Sequence, residues 1–257
     1  MTEKTLAEHF HEYFSICIAD TIDLKVEVFK LRCDVYCTEL GYEKVCQNCP
    51  NCPNCPNCPN CEIDDFDEYS KHVLIKHRGS GLYAGSVRLV TPPPHNPNAL
   101  LPFEAHCSQS FDPKKVAFLR EGENVKVGEV SRLAVLSKFR LRASDAKTPD
   151  GINSERMLLE ISEEEMRYFP FIAVALYFAA TSIVRYQNIT YAVVMMETRL
   201  ARLLKHSGIN FIQLGETMDY HGQRALFYIE PTFIDALKPQ LKELYQSVDQ
   251  QLTHNIN

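Results

Sequence analysis

The spacing of apolar residues divides the chain into alternating strands and helices. Tyr13–Ala19 is short, apolar and partly β-branched, and predicts a first strand. From Asp23 onward Leu24, Val28, Leu31 and Val35 recur at helical spacing, and Gly41 is a natural stop. Strands are predicted at His72–Lys76 and Tyr83–Val90, joined by the turn Arg78-Gly79-Ser80-Gly81, and Thr91 with three prolines ends the second. Residues 92–127 form a proline-interrupted excursion without a clear period. Val127–Leu136 reads as a strong strand, Ser154–Arg167 and Ile172–Tyr186 as helices, and Ile189–Met195 as a strand. Thr198–Lys205 is a helix closed by Gly208, and Phe211–Leu214 with Ala225–Ile229 is a hairpin around a turn containing Gly222. Helices interleaved with mostly consecutive strands predict one α/β domain over residues 1–257, with its core at about 13–230 and long insertions.

Composition narrows the function classes. Among 257 residues, 45% are apolar and 23% charged, which excludes a disordered or fibrous chain. The net charge of −6 argues against a general nucleic-acid binder, which needs a concentrated basic face. The longest apolar run, Phe171–Val184, stops at Arg185 and falls short of the ~20 residues a bilayer demands. The N-terminal stretch MTEKTLAEHFHEYF has no apolar core region, so the expectation is a cytoplasmic protein that does not span a membrane.

Six of the ten cysteines lie between Cys46 and Cys61 in a Cys-Pro-Asn triplet repeat. Such a uniform array can close a tetrahedral thiolate site, but it leaves the ligand register undefined. Residues 46–61 are therefore read as a tandem expansion in a surface loop, with no metal assigned. The rival reading is a non-catalytic metal-binding or metal-sensing protein that uses the array on a degenerate enzyme scaffold.

Four local patterns are more specific. The first helix carries LRCDVYCTELGYE, with Arg32 and Tyr36 one helical turn apart. Glu62, Asp64 and Asp67 form an E-x-D-x-x-D run directly after the array. Arg88 lies in one strand motif, GSVRL, and Glu129 and Arg132 lie in another, EVSRLAV. In this order the patterns resemble the acyl-homoserine-lactone (autoinducer) synthases, relatives of the GNAT acyltransferases. Val35–Tyr42, Leu101–Cys107 and Ser131–Arg140 are closer still to the PEP-CTERM/exosortase system-associated acyltransferases. The order of elements is that of a GNAT-type N-acyltransferase as well, with a mixed central sheet flanked by helices.

What the resemblance implies is transfer of a fatty acyl group from a thioester to an amine. The donor would be the phosphopantetheine thioester of acyl carrier protein, or acyl-CoA, as co-substrate with no further cofactor. Arg32, Arg88 and Arg132 are candidate carboxylate or carbonyl holders, because guanidinium binds carboxylate in a two-point fork. Glu62, Asp64 and Asp67 would form an anionic wall for the acceptor's ammonium. Glu129 is the first candidate for the base and Glu62 the second. A bulge between Glu129 and Arg132 would turn both toward one pocket. Tyr36 and Tyr42 would also face the acceptor. Tyr42 stands where the autoinducer synthases carry tryptophan, which leaves open whether S-adenosylmethionine or another amine, such as an amino acid, is acylated. Arg140, Arg142, Arg199 and Arg202 would receive an acidic carrier protein. Cys107 beside His106 admits a covalent route, ranked below direct transfer.

Overall fold

The computed structural model describes residues 4–44, 61–140, 161–206, 208–229 and 231–253. Helix α1 (Leu6–Tyr13) precedes the first predicted strand. A capping box starts it: the Thr5 hydroxyl accepts the Glu8 N–H (3.3 Å) and the Glu8 carboxylate accepts the Thr5 N–H (2.8 Å). Strand β1 (Phe14–Ile18) leads to helix α2 (Ile22–Arg32), which continues as wide π-helical turns over Cys33–Glu39 and ends before Gly41 at φ 64°. The hairpin β2 (Ser70–His77) and β3 (Tyr83–Val90) follows as expected. The excursion holds two short helices, α3 (Pro102–His106) and α4 (Pro113–Val116), before β4 (Val127–Val135).

Beyond it come a short helix α5 (Glu163–Met166), the buried helix α6 (Pro170–Tyr186), strand β5 (Tyr191–Glu197) and helix α7 (Thr198–His206). The predicted hairpin consists of β6 (Ile212–Gln213), β7 (Met218–Asp219) and β8 (Gln223–Ile229). Helix α8 (Pro239–Thr253) extends the core beyond the expected limit near 230: Leu241, Leu244, Tyr245, Val248 and Leu252 form its buried stripe. The array residues Cys46–Cys58, together with Arg142 and the first part of the helix expected at Ser154–Arg167, lie outside the described residues.

The strands form one mixed sheet in the order β1-β2-β3-β4-β5-β8-β6, with β7 on β8. Every pairing is antiparallel except β4 with β5. That parallel pair is brief: Val127, Gly128 and Glu129 oppose Tyr191, Ala192 and Val193. Beyond it β4 continues on β3 and β5 continues on β8, so the two strands part and the sheet opens in the middle.

A second irregularity lies in the opening. Arg88 opposes Ser131 and Ser86 opposes Ala134, so Arg132 and Leu133 together face the single residue Val87. Arg132 adopts φ 50° at this bulge. The expected bulge is thus present, and it breaks the alternation that would have separated Glu129 from Arg132.

Helix α6 packs on β3 where Gly85 leaves room. A Cβ at Gly85 would come 2.9 Å from the Ala134 carbonyl oxygen and 3.0 Å from Leu176 Cδ1. Alternation on β3 then turns Ser86 and Arg88 to the opposite face. Gly85→Val should therefore lower stability by about 1–3 kcal/mol through overpacking. Urea denaturation checks this, and an unchanged midpoint would show that α6 retreats at no cost.

Candidate active site

The acids and arginines picked from separate motifs meet in one network. Asp67, buried on the turn before β2, accepts from Arg32 (2.6 Å) and from Arg88 (2.8 Å) through the same oxygen, Oδ1. Its other oxygen accepts the Asp64 N–H (2.9 Å), which locks the turn from which Asp64 projects. Burial alone would raise the Asp67 pKa; the two guanidiniums outweigh it and hold this carboxyl well below the usual carboxylate range. Arg32 also donates from Nε to Glu62 (2.5 Å), and Arg88 also donates to Asp64 (2.5 Å) and to the Ser131 hydroxyl (3.1 Å). Arg132 completes the network, reaching Glu62 (3.2 Å), Asp64 (3.2 Å) and Glu43 (3.0 Å). His72, 3.7 Å from Asp67, is pushed down to about 3 by burial and stays a neutral ring.

Two cavities open on this network. The smaller, about 60 Å³, is lined by Tyr36, Tyr42, Asp64, Arg88, Glu129 and Arg132, all anticipated. The larger, about 570 Å³, occupies the gap between the parting strands, with Ala173 and Tyr177 of α6 among its walls. Both share Tyr36, Val130, Ser131, Arg132, Met195 and Arg224, so they meet at the bulge. The Tyr36 hydroxyl donates to the Leu133 carbonyl (2.7 Å) across the bulge. A third, apolar cavity of about 20 Å³ continues inward past Val130, Tyr177 and Val194 toward Phe211 and Phe233.

Glu129 stands where β4 and β5 begin to part. Burial pushes its carboxyl up to about 8; the Phe103 N–H (2.8 Å) and Arg88 offset this only in part. A carboxyl with that pKa is protonated through much of the neutral range and ionises in mildly alkaline water, which suits proton exchange with an amine. Cys107 lines the same small cavity, and burial followed by the nearby Glu129 pushes its thiol up to about 11. A thiol so protonated is a poor nucleophile, which counts against the covalent route.

Three expected site residues stand behind the cavity wall. Arg32 is fully buried, its guanidinium engaged by Glu62 and Asp67, and neither it nor those two acids lines either cavity. The carboxylate-holding place expected for Arg32, and the ammonium-facing places expected for Glu62 and Asp67, are therefore supporting positions: their charges are already satisfied by one another. On the larger cavity's rim lie Arg140, paired with Glu39, and the exposed Arg199. Arg202 is exposed beside it and turns its Nε to the Thr198 carbonyl (3.3 Å).

Four titratable lining residues were missed. Glu43 bridges Arg132 and His221 (3.0 and 3.8 Å), and His221 stacks on Tyr42 with ring centroids 4.8 Å apart. Tyr220 and Arg224 close the same side. These three hairpin residues carry no spacing signal, because a turn with Gly222 predicts only the reversal of the chain. Glu43 is the last residue of the LRCDVYCTELGYE motif, which was already in view. Among the described residues there is no group of three or more side chains able to hold a metal.

This geometry defines a recognisable class. Residues 31–148 match the family model for the acetyltransferase (GNAT) domain, and the mixed eight-stranded sheet flanked by helices is the GNAT-like acyltransferase fold. Among solved structures, the chain is similar to FeeM, an N-acyl amino acid synthase from uncultured soil microbes. The identity is 14%, with 87% of this chain and 94% of that one covered, at a TM-score of 0.53. It is similar to BjaI, a CoA-dependent acyl-homoserine lactone synthase, at 16% identity, with 92% and 90% covered and a TM-score of 0.54. TofI, solved in a ternary complex with an inhibitor and MTA, gives 14% identity, 89% and 99% covered, and a TM-score of 0.56. No curated protein sequence matches the chain.

Asp67→Ala should cost about 3–5 kcal/mol, because it leaves Arg32 and Arg88 buried without their shared counter-charge. Chemical denaturation measures this, and a loss below about 1 kcal/mol would mean that water screens the pair.

Proposed function

We propose that the protein is an N-acyltransferase that moves a fatty acyl group from a carrier thioester to the amine of an amino-acid-like acceptor. The observation that carries this reading is the meeting of the two cavities at the β4 bulge, with Glu129 lining the small cavity next to the shared residue Val130. The large cavity would take the pantetheine arm and the acyl group, whose tail would extend into the apolar cavity past Tyr177. The small cavity would take the acceptor, its ammonium against Asp64.

Glu129 accepts one proton from the ammonium, and the freed nitrogen attacks the thioester carbon. The C–S bond breaks, the nitrogen loses a second proton, and the departing sulfur gains one. Net, an ammonium and a thioester give an amide, a thiol and one proton. Arg88 and Arg132 hold Asp64 in place and face the reacting groups, while Arg32, Glu62 and Asp67 are positioning residues. With Glu62 engaged by Arg32 and Arg132, the base is Glu129. The two synthase groups represented by FeeM and BjaI support an acyl transfer of this kind.

Acyl carrier protein is our assigned donor, since Arg140 and Arg199 lie on the rim of the large cavity and the exposed Arg202 follows on the same helix as Arg199, a set of cations for an acidic partner. A cytoplasmic location follows from that donor, and among the described residues no helix is long and apolar enough to cross a membrane. The association with an exosortase system rests on the motif segments at Val35–Tyr42, Leu101–Cys107 and Ser131–Arg140.

Thiol release from decanoyl-carrier protein in the presence of mixed protein amino acids tests the activity, with the N-acyl product read by mass spectrometry. Glu129→Gln should lower kcat about 10²–10⁴-fold and change acceptor KM little. In the wild type the base works only when ionised, so kcat/KM should rise as pH climbs toward about 8 and level off above it. Glu129→Gln should lose that limb; near wild-type turnover in the variant would remove Glu129 as the base. For the carrier, Arg140→Glu with Arg199→Glu should raise KM for decanoyl-carrier protein at low salt more than KM for decanoyl-CoA. Equal effects on both donors would mean that the arginines meet the pantetheine arm rather than a protein surface.

A further inference from the structure

The charges around the small cavity are nearly all accounted for, and the exception is informative. Arg88 is held by Asp64 and Asp67, and Arg132 by Glu43, Glu62 and Asp64. Arg224, the third arginine lining the cavity, has no carboxylate partner among the described residues. Its Nε is buried and makes no hydrogen bond. Glu197, which opposes it across β5 and β8, forms no ion pair with it. Arg224 also lines the large cavity, and its charge acts on Tyr36 and Tyr177 on that side and on Cys107 on the other. The guanidinium therefore stands at the junction itself. Glu129 forms no ion pair with it: the arginines whose charge acts on that carboxyl are Arg88 and Arg132.

A guanidinium with an idle, buried donor calls for an anion from outside. An acceptor that is only an amine would bring a second cation beside Arg224. An acceptor bearing both an ammonium and a carboxylate adds no net charge: its ammonium meets Asp64 and Glu129, and its carboxylate meets Arg224. Resting on the acyl-transfer reading above, we infer that Arg224 is the acceptor's carboxylate anchor and that a free α-carboxylate is a requirement of the acceptor.

The test compares each amino acid with the amine that lacks its carboxylate: alanine with ethylamine, leucine with isopentylamine, tyrosine with tyramine. Decanoyl-carrier protein and decanoyl-CoA serve as donors. Wild-type kcat/KM for at least one amino acid should exceed that for its amine by about 10–100-fold, the range of a charge-assisted hydrogen bond. Arg224→Gln should collapse this ratio mainly through acceptor KM, and Arg224→Lys should restore part of it. Two results would overturn the inference alone: amines acylated as well as amino acids by the wild type, or Arg224→Gln lowering both acceptors equally through kcat, which would place the guanidinium on the thioester. Donors left intact with all six acceptors would overturn the acyl-transfer reading and this inference with it. The wild-type ratio requires no variant, so a misfolded Arg224 mutant leaves the inference open to refutation.

Discussion

The site depends on one buried carboxylate oxygen shared by two guanidiniums. Asp67 Oδ1 joins Arg32 of α2 to Arg88 of β3, and so ties that helix to the middle of the sheet. Each arginine has one further carboxylate, Glu62 for Arg32 and Asp64 for Arg88, and the shared oxygen supplies the second counter-charge that burial of both guanidiniums calls for. Everything nearer the cavity leans on it: Asp67 pins the turn that presents Asp64, and Arg32 holds the Glu62 that steadies Arg132. An expensive interior was retained where a well-packed apolar one would give at least as much stability. Its value lies in fixed orientation, not in fold energy.

The parting of β4 from β5 supplies the other half of the arrangement. A fully paired sheet would close the larger cavity between the two strands. The short register of Val127–Glu129 with Tyr191–Val193 joins the halves, so Glu129 stands at the apex of the opening. The bulge at Arg132 adds the local turn of the backbone that brings alternate residues to one cavity. That conformation, left-handed at a residue with a Cβ, carries strain of about 1–3 kcal/mol, and the three carboxylates that hold the Arg132 side chain offset it.

Much of this was legible in the chain because it is written in period and in order. The alternation of Val127–Leu136 and the helical recurrence of Leu24, Val28, Leu31 and Val35 placed their elements within a few residues. The acids and arginines were legible through motif order, which says that residues belong to one site but not which stand in front. Burial decides that, and burial is a property of packing: Arg32 and Asp67 look no different in sequence from Arg88 and Asp64. Arg224, Tyr220 and His221 were invisible for a different reason, since they reach the cavity only through a sheet neighbour distant in sequence. Helix α8 did carry a readable stripe at Leu241, Leu244, Val248 and Leu252, but it followed the last expected strand.

The residues that flank the cysteine repeat are also placed. Glu43 on one side and Glu62 on the other both grip Arg132, so the segment between them is clipped to the site at each end. A gene copying error that inserts or drops one Cys-Pro-Asn unit keeps the reading frame and changes the length by one triplet. Closing a longer loop is cheap, about 0.6 kcal/mol for each doubling. Copy number can thus drift through generations at little cost to folding, while every length remains tethered to the residue at the bulge. Whatever the number of triplets, the acids that flank the repeat, Glu43 and Glu62, keep the same partner in Arg132.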